Sequence, residues 1–270
     1  MRGVSRASLA QAQERLEPLT AEPADAERLG NELFAVAGLL SGQPALRRAL
    51  GDPSRPARAR AALATTLLSG KVSAAATELI GSIAADRWSS PGDLIAAIEQ
   101  LAVEAVAAAA EHAGRLDDLE DDLFRFGRIV RGKLDLRDAL TDPFAPAERK
   151  RRLVEELIAG KVTPEALLLI TQAAVNPLGR SLDTSLEDYA RLAAARRERL
   201  VAEVHVAVPL SAEQRGRLAA ALAAAYGRQV HLNIVLDPRV AGGMSVEIGE
   251  ELIDASVASR LAEARRRLAA

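Results

Sequence analysis

Shifted by about 90 residues, the chain lies on itself without a gap, and an internal period of that length constrains the fold more than any single residue does. Leu33-Phe34 fall on Leu123-Phe124, Leu46-Arg47 on Leu136-Arg137, Ala49-Leu50 on Ala139-Leu140, and Asp52-Pro53 on Asp142-Pro143. In the same register Leu63, Leu67 and Gly70-Lys71-Val72 meet Leu153, Leu157 and Gly160-Lys161-Val162, and Leu79-Ile80 meets Leu169-Ile170. A composition rich in Ala and Leu aligns those two residues by chance. It does not align Asp-Pro and Gly-Lys-Val in one ungapped register, so the chain holds a tandem duplication.

The repeated unit is helical. Aromatic residues make up 3% of the chain while apolar residues reach 49%, a balance typical of Ala- and Leu-rich bundles. Ala24 to Leu40 places Leu29, Leu33, Val36 and Leu40 on one helix face. A short helix follows at Ala45 to Leu50, and Asp52-Pro53 stops it because the residue before a proline is driven out of the helical region. Ala57 to Leu68 resumes the period, Gly70 caps it, and Ser73 is placed to start a helix over Ala74 to Trp88. The second unit repeats this at Leu119 to Val130, Leu134 to Leu140, Pro146 to Ile158 and Thr163 to Asn176. From Gly92 to Lys133 there is no proline, and Leu94, Ile98, Leu101, Ala105, Ala108 and Leu116 keep helical spacing, interrupted by Gly114. This predicts a long helix, or two with a slight break at His112 to Gly114, holding two bundles rigidly apart. A further helix is expected from Ser185 to Val201.

Beyond Val201 the period changes to two. Val201 to Val208 reads as a strand ended by Pro209, and Ser211 with Gln214 forms a capping box for a helix running to Tyr226, closed by Gly227. Val230 to Leu236 and Met244 to Ile248 read as a hairpin joined through Gly242-Gly243, and a last helix is expected from Ser256 to Leu268. The expected fold class is mainly α with a small C-terminal α/β domain: two tandem helical bundles joined by a long helix, then strand, helix, hairpin and helix. The expected boundaries are 1–91 for the first bundle unit, 92–200 for the linking helix and second unit, and 201–270 for the α/β domain.

Chemistry is excluded step by step. With no cysteine there is no thiolate nucleophile and no Cys-ligated metal. His112, His205 and His231 fall in a helix and two strands, with no metal-ligand spacing. Gly242-Gly243 joins strands and lacks the Lys-Ser/Thr and helix start of a phosphate loop. The carboxylates Glu247, Glu250, Glu251 and Asp254 sit where a hairpin meets solvent, and Ser245 with His231 and Asp237 lacks the turn that presents a nucleophilic serine. No catalytic residue, cofactor or metal is expected. A net charge of −2 and few aromatics argue against nucleic acid. The basic runs Arg149 to Arg152, Arg196-Arg197 and Arg265 to Arg267 read as solvated helix faces. No apolar stretch matches the ~20 residues that cross a bilayer, because Leu101 to Ala110 is broken by Glu104, so membrane association has to come through a partner.

Asp237, Pro238, Gly242, Gly243, Val246, Ile248, Gly249, Ile253, Asp254, Ser256, Val257 and Leu261 share one spacing. Upstream, Val206 to Ser211, Gln214 and Tyr226-Gly227 extend it. This pattern resembles the C-terminal signature of the delta subunit of F-type ATP synthases, called OSCP in mitochondria. Leu236, Val240-Ala241, Glu250 and Ala255 depart from it, as does Asn176 to Arg180 in the bundle. The length, with its extra helical unit, resembles the long actinobacterial form. The resemblance implies a noncatalytic stator subunit without cofactors, peripheral on the cytoplasmic side of the cell membrane. Its bundle would grip the N-terminal helices of the alpha subunits, and its C-terminal domain would hold the coiled coil of subunit b. Two other readings stand beside it: a free-standing helical adaptor, and an enzyme with a concave pocket in the C-terminal domain.

Overall fold

The computed structural model describes residues 3–197, 200–227, 230–237, 240, 243–248 and 251–254. The chain divides into two compact units, Met1–Arg197 and Glu198–Ala270. The first unit is helical throughout: α1 (Gly3–Leu16), a 3-10 turn (Glu17–Thr20), α2 (Pro23–Gly42), α3 (Pro44–Gly51), α4 (Ala57–Leu68) and α5 (Ala74–Ala85). It continues with α6 (Pro91–His112), α7 (Leu116–Gly132), α8 (Leu134–Thr141), α9 (Ala147–Ile158), α10 (Pro164–Val175) and α11 (Leu182–Arg197).

The duplication appears helix for helix, α2 to α5 recurring as α7 to α10, and the punctuation recurs with it. Ser73 Oγ accepts from the Ala76 amide at 3.1 Å, and Thr163 Oγ1 accepts from Ala166 at 3.3 Å, each satisfying one of the amides left open at a helix start. Each capping residue is itself held by an acid at the equivalent place. The Ser73 amide donates to Glu32 at 2.9 Å, and the Thr163 amide donates to Asp122 at 2.8 Å. Gly70 and Gly160, at φ of 73° and 72°, end the preceding helices in the left-handed conformation that glycine adopts without strain.

The long helix does not hold two bundles apart; it is shared by them. As the last helix of the first copy, α6 packs along α2 in the way α11 packs along α7. As the first helix of the second copy it packs on α10 and α11, just as α1 packs on α5 and α6. The chain breaks at Gly114, with φ +66°, and turns into α7. One buried cluster extends from Leu9 to Ala193, so the expected units 1–91 and 92–200 fall within one compact unit. The physical cause lies in α6: every residue from Leu101 to Ala110 is buried and all but Glu104 are apolar, so no face of this stretch is given to water. Its small residues let neighbours come close. A methyl group at Gly30 of α2 would stand 2.7 Å from Val106 Cγ2.

Helix α1 has no strong apolar period, which hides it in the sequence. It buries Ser5 and Ser8 beside Leu9, Ala12 and Leu16. The serines are satisfied: Ser5 Oγ donates to Asp93 at 2.7 Å and Ser8 Oγ donates to the Arg87 carbonyl at 2.7 Å.

Charged clamps tie distant parts of this unit. Arg15 reaches Asp86 at 2.9 Å, Arg115 reaches Glu165 at 2.5 Å, and Arg196 of α11 reaches Glu111 at 2.6 Å and Glu17 at 3.0 Å. Burial works against the charge of Arg196, and Glu17 with Glu111 more than offsets it. Deeper still, Glu99 of α6 accepts from the Tyr189 hydroxyl at 2.5 Å and from Arg180. Burial pushes the Glu99 carboxyl above the ordinary glutamate range against the pull of Tyr189 and Arg180, and burial together with Glu99 raises the Tyr189 hydroxyl.

The second unit is a four-stranded sheet in the order β2-β1-β3-β4, with β1 (Leu200–Val206), β2 (Val230–Leu236), β3 (Met244–Ile248) and β4 (Glu251–Asp254), plus helix α12 (Ala212–Tyr226) between β1 and β2. The capping box at Ser211 and Gln214 forms, and Gly227 closes α12 at φ +67°. The expected hairpin of β2 with β3 does not form. Strand β1 lies between them, parallel to β2 from Leu200↔Val230 to Val206↔Leu236 and antiparallel to β3. A helical crossover such as α12 permits parallel pairing, and the connection after β2 starts across the end of β1, where the Asp237 amide donates to the Val206 carbonyl at 3.0 Å. The adjacent antiparallel pair is β3 with β4, a strand absent from the sequence reading. Ala202, Val204 and Val206 of the central strand bury against Leu222, Val230, Val246 and Ile248. The helix expected from Ser256 lies outside the described residues.

Two outcomes follow from this packing. Helix propensity alone would make Gly30→Ala stabilising by about 1 kcal/mol. The contact with Val106 reverses the sign, and urea unfolding should show a loss of about 1–3 kcal/mol, whereas a gain would mean that α2 and α6 separate at no cost. For Glu99, an acid with a raised folded pKa burdens the fold most when ionised, and that burden is relieved as pH falls through the folded value toward the ordinary one. Glu99→Gln should therefore raise the melting temperature near neutral pH, with an advantage that shrinks on acidification. An advantage that grows toward acid pH would contradict this environment.

Candidate functional site

The signature residues of the second unit build its sheet. Asp237 closes the end of β2: its amide bonds across to β1, and its carbonyl accepts from the Val240 amide at 3.1 Å. Gly243 enters β3 at φ +82°, a conformation that side-chain-bearing residues rarely adopt. Val246 and Ile248 point into the core, and Ile253 and Asp254 of β4 pair with Val246 and Ser245. Pro238, Gly242, Gly249, Ser256, Val257 and Leu261 lie outside the described residues. The described members shape turns and strands and do not converge on a cleft.

Strand register disposes of the nominal triad. Ser245 stands opposite His205 of β1, and His231 stands opposite Val201, so the two lie on strands flanking β1 and four residues apart along it. At the rise of a strand that offset is about 13 Å, far beyond hydrogen-bond reach. Glu247 is exposed on β3. In the helical unit His112 Nε2 bonds the Thr20 carbonyl at 2.8 Å, a satisfied structural histidine. Among the described residues no group of three or more His, Asp or Glu side chains is arranged to hold a metal ion.

Concave features of the helical unit are of other kinds. A cavity of about 450 Å³ lies over Glu99, Gln100, Arg180, Asp188 and Tyr189. Its charges largely answer one another: Arg180 binds Glu99 and Asp188, and Arg191 binds Asp188 at 2.6 Å. A shallow apolar depression lies between α7 and α11, lined by Phe124, Gly127, Leu186 and Ala190. The two copies differ here. Phe34 of α2 is 3% exposed, its ring 6.3 Å from that of Tyr189, whereas the equivalent Phe124 of α7 is 57% exposed. The position that packs on Tyr189 of α11 in the first copy is uncovered in the second. Neither the 90-residue period nor the spacing of apolar residues distinguishes the two phenylalanines, because the difference lies in what packs over them. Such surfaces suit helix-on-helix contact.

Comparison with known proteins identifies the family. Residues 98–268 match the family described as ATP synthase delta (OSCP) subunit. The match starts within α6 and so takes in most of the second copy and the sheet unit. The chain is 48% identical over 268 residues to ATP synthase subunit delta of Streptomyces avermitilis, covering 99% of this chain and 98% of that one. It is 46% identical over 270 residues to the subunit of Streptomyces griseus and 45% identical over 269 residues to that of Thermobifida fusca, covering 100% of both chains in each case. A solved chain of the Toxoplasma gondii mitochondrial ATP synthase hexamer aligns at 24% identity and a TM-score of 0.27, covering 62% of this chain and 95% of that one, an overlap too loose to carry an argument. Matched along its whole length by those subunits, the chain belongs to the ATP synthase delta (OSCP) family, noncatalytic subunits of the F-type ATP synthase.

Proposed function

We propose that this protein is the part of the stator that joins the catalytic head to the peripheral stalk. In this reading the helical unit receives the N-terminal helices of the alpha subunits, and the sheet unit holds the coiled coil of subunit b. The single observation that carries the reading is the family match over residues 98–268, which spans most of the second helical copy together with the sheet unit. The packing supports it. A stator resists torque while the head makes ATP, and a helical unit with one continuous core and four cross-chain ion-pair clamps is built to resist deformation. The protein works at the cytoplasmic side of the cell membrane as a peripheral component. No described helix is long and apolar enough to cross a bilayer, so attachment depends on the complex.

Native membranes should retain the protein with the assembled synthase and release it when the catalytic head is stripped. Recovery entirely in the soluble fraction with the synthase intact would sink the assignment. The division of labour is tested separately. A fragment of residues 1–197, which contains a core of its own, should bind a peptide of the alpha N-terminal helix and leave subunit b unbound. Binding of subunit b by that fragment would reassign the two surfaces.

A further inference from the structure

The two copies also diverge at the groove between the third and fourth helices of the repeat. In the first copy Arg60 of α4 is 3% exposed, and its guanidinium donates to the carbonyls of Asp86 at 3.1 Å and Ala85 at 3.0 Å, capping the end of α5. In the second copy the equivalent residue is Lys150 of α9, 7% exposed; its amide donates to the Pro146 carbonyl at 3.2 Å, while its side chain makes no hydrogen bond or ion pair among the described residues. It lines a cavity of about 550 Å³ with Asp142, Arg149, Arg152, Leu153 and Glu156. Where the second copy has Arg149, Arg152 and Glu156, the first has Ala59, Ala62 and Thr66. Its ammonium opens into this cavity, where it can meet an anion. Here two arginines absent from the first copy stand beside it.

We infer that the cavity between α8 and α9 binds a carboxylate presented by an acidic segment of a partner protein. Three cations face two carboxylates, and Asp142 already accepts from the Phe144 amide at 2.8 Å, so the lining favours an added anion. A peptide suits the site better than a free phosphate, because Phe144, in the turn that begins at Asp142, is 92% exposed and gives an apolar contact beside the charge. Arginine and lysine donors around a carboxylate form charge-assisted hydrogen bonds, the stronger class of such bonds. The basic run Arg149 to Arg152 is thus more than a solvated face: its Arg149, Lys150 and Arg152 share one concavity.

The test is calorimetric titration of the full-length protein with a synthetic peptide rich in Asp and Glu that contains one leucine, and separately with inorganic phosphate. The peptide should bind the wild type more tightly than phosphate does, and the Arg149→Ala/Arg152→Ala variant should bind it about tenfold more weakly or worse. Arg48→Ala/Arg58→Ala, which removes the same charge from the first copy, should bind as the wild type does. Lys150→Met should lose peptide binding while its melting temperature stays level or rises, a combination that a purely structural lysine would not give. The inference is overturned if the wild type binds no peptide, if phosphate binds as tightly, if the cavity variants bind normally, or if the first-copy control loses as much affinity.

Discussion

Everything in the helical unit depends on the burial of α6. A helix buried around its whole circumference from Leu101 to Ala110 must find neighbours on every side, and a bundle of one repeat supplies them on only part of it. Two copies that share the helix supply the rest. Burial from Leu101 to Ala110 therefore does two tasks: it closes the first bundle against α2 and opens the second against α10 and α11. The clamps through Arg15, Arg115, Arg180 and Arg196 are secondary to this packing. They fix how the surrounding helices sit around a core that apolar contact has already assembled.

Much of this was legible in the sequence because its signals are local. Proline, glycine and the capping residues mark helix ends by their own backbone requirements, and the caps at Ser73, Thr163 and Ser211 formed where those signals lie. What escaped was whatever depends on distant neighbours. The spacing of Leu94 to Ala108 reveals a helix, yet the same pattern fits a spacer and a shared core. The alternation of Val230 to Leu236 and Met244 to Ile248 reveals strands, but it is satisfied equally by pairing with one another and by pairing on opposite sides of β1. Helix α1 was hidden because two of its five buried residues are serines, whose burial is explained by Asp93 and Arg87 far along the chain.

The site divides in the same way. The signature from Asp237 to Leu261 could be read directly and marks the family, but its described members are turn and strand residues of a sheet. The features that face outward, Phe124 between α7 and α11 and the cations of α9, became distinguishable only by setting each against its counterpart in the other copy. An internal duplication serves as its own control: a residue buried in one copy and bare in the other marks a surface whose neighbour has changed.

Sharing a helix also leaves a mark of conflict. Residue by residue, α6 is asked to be two things: the counterpart of α11 and the counterpart of α1. At Ser5 the two demands part. That serine answers the carboxylate of Asp93 in the first copy, while in the second its place is taken by Ile95 of α6, and the matching carboxylate, Asp183, keeps one buried oxygen with no hydrogen bond. An unmet acceptor of this kind costs about 1–3 kcal/mol. It is a small local frustration, and it records that one stretch of chain cannot match two templates at once.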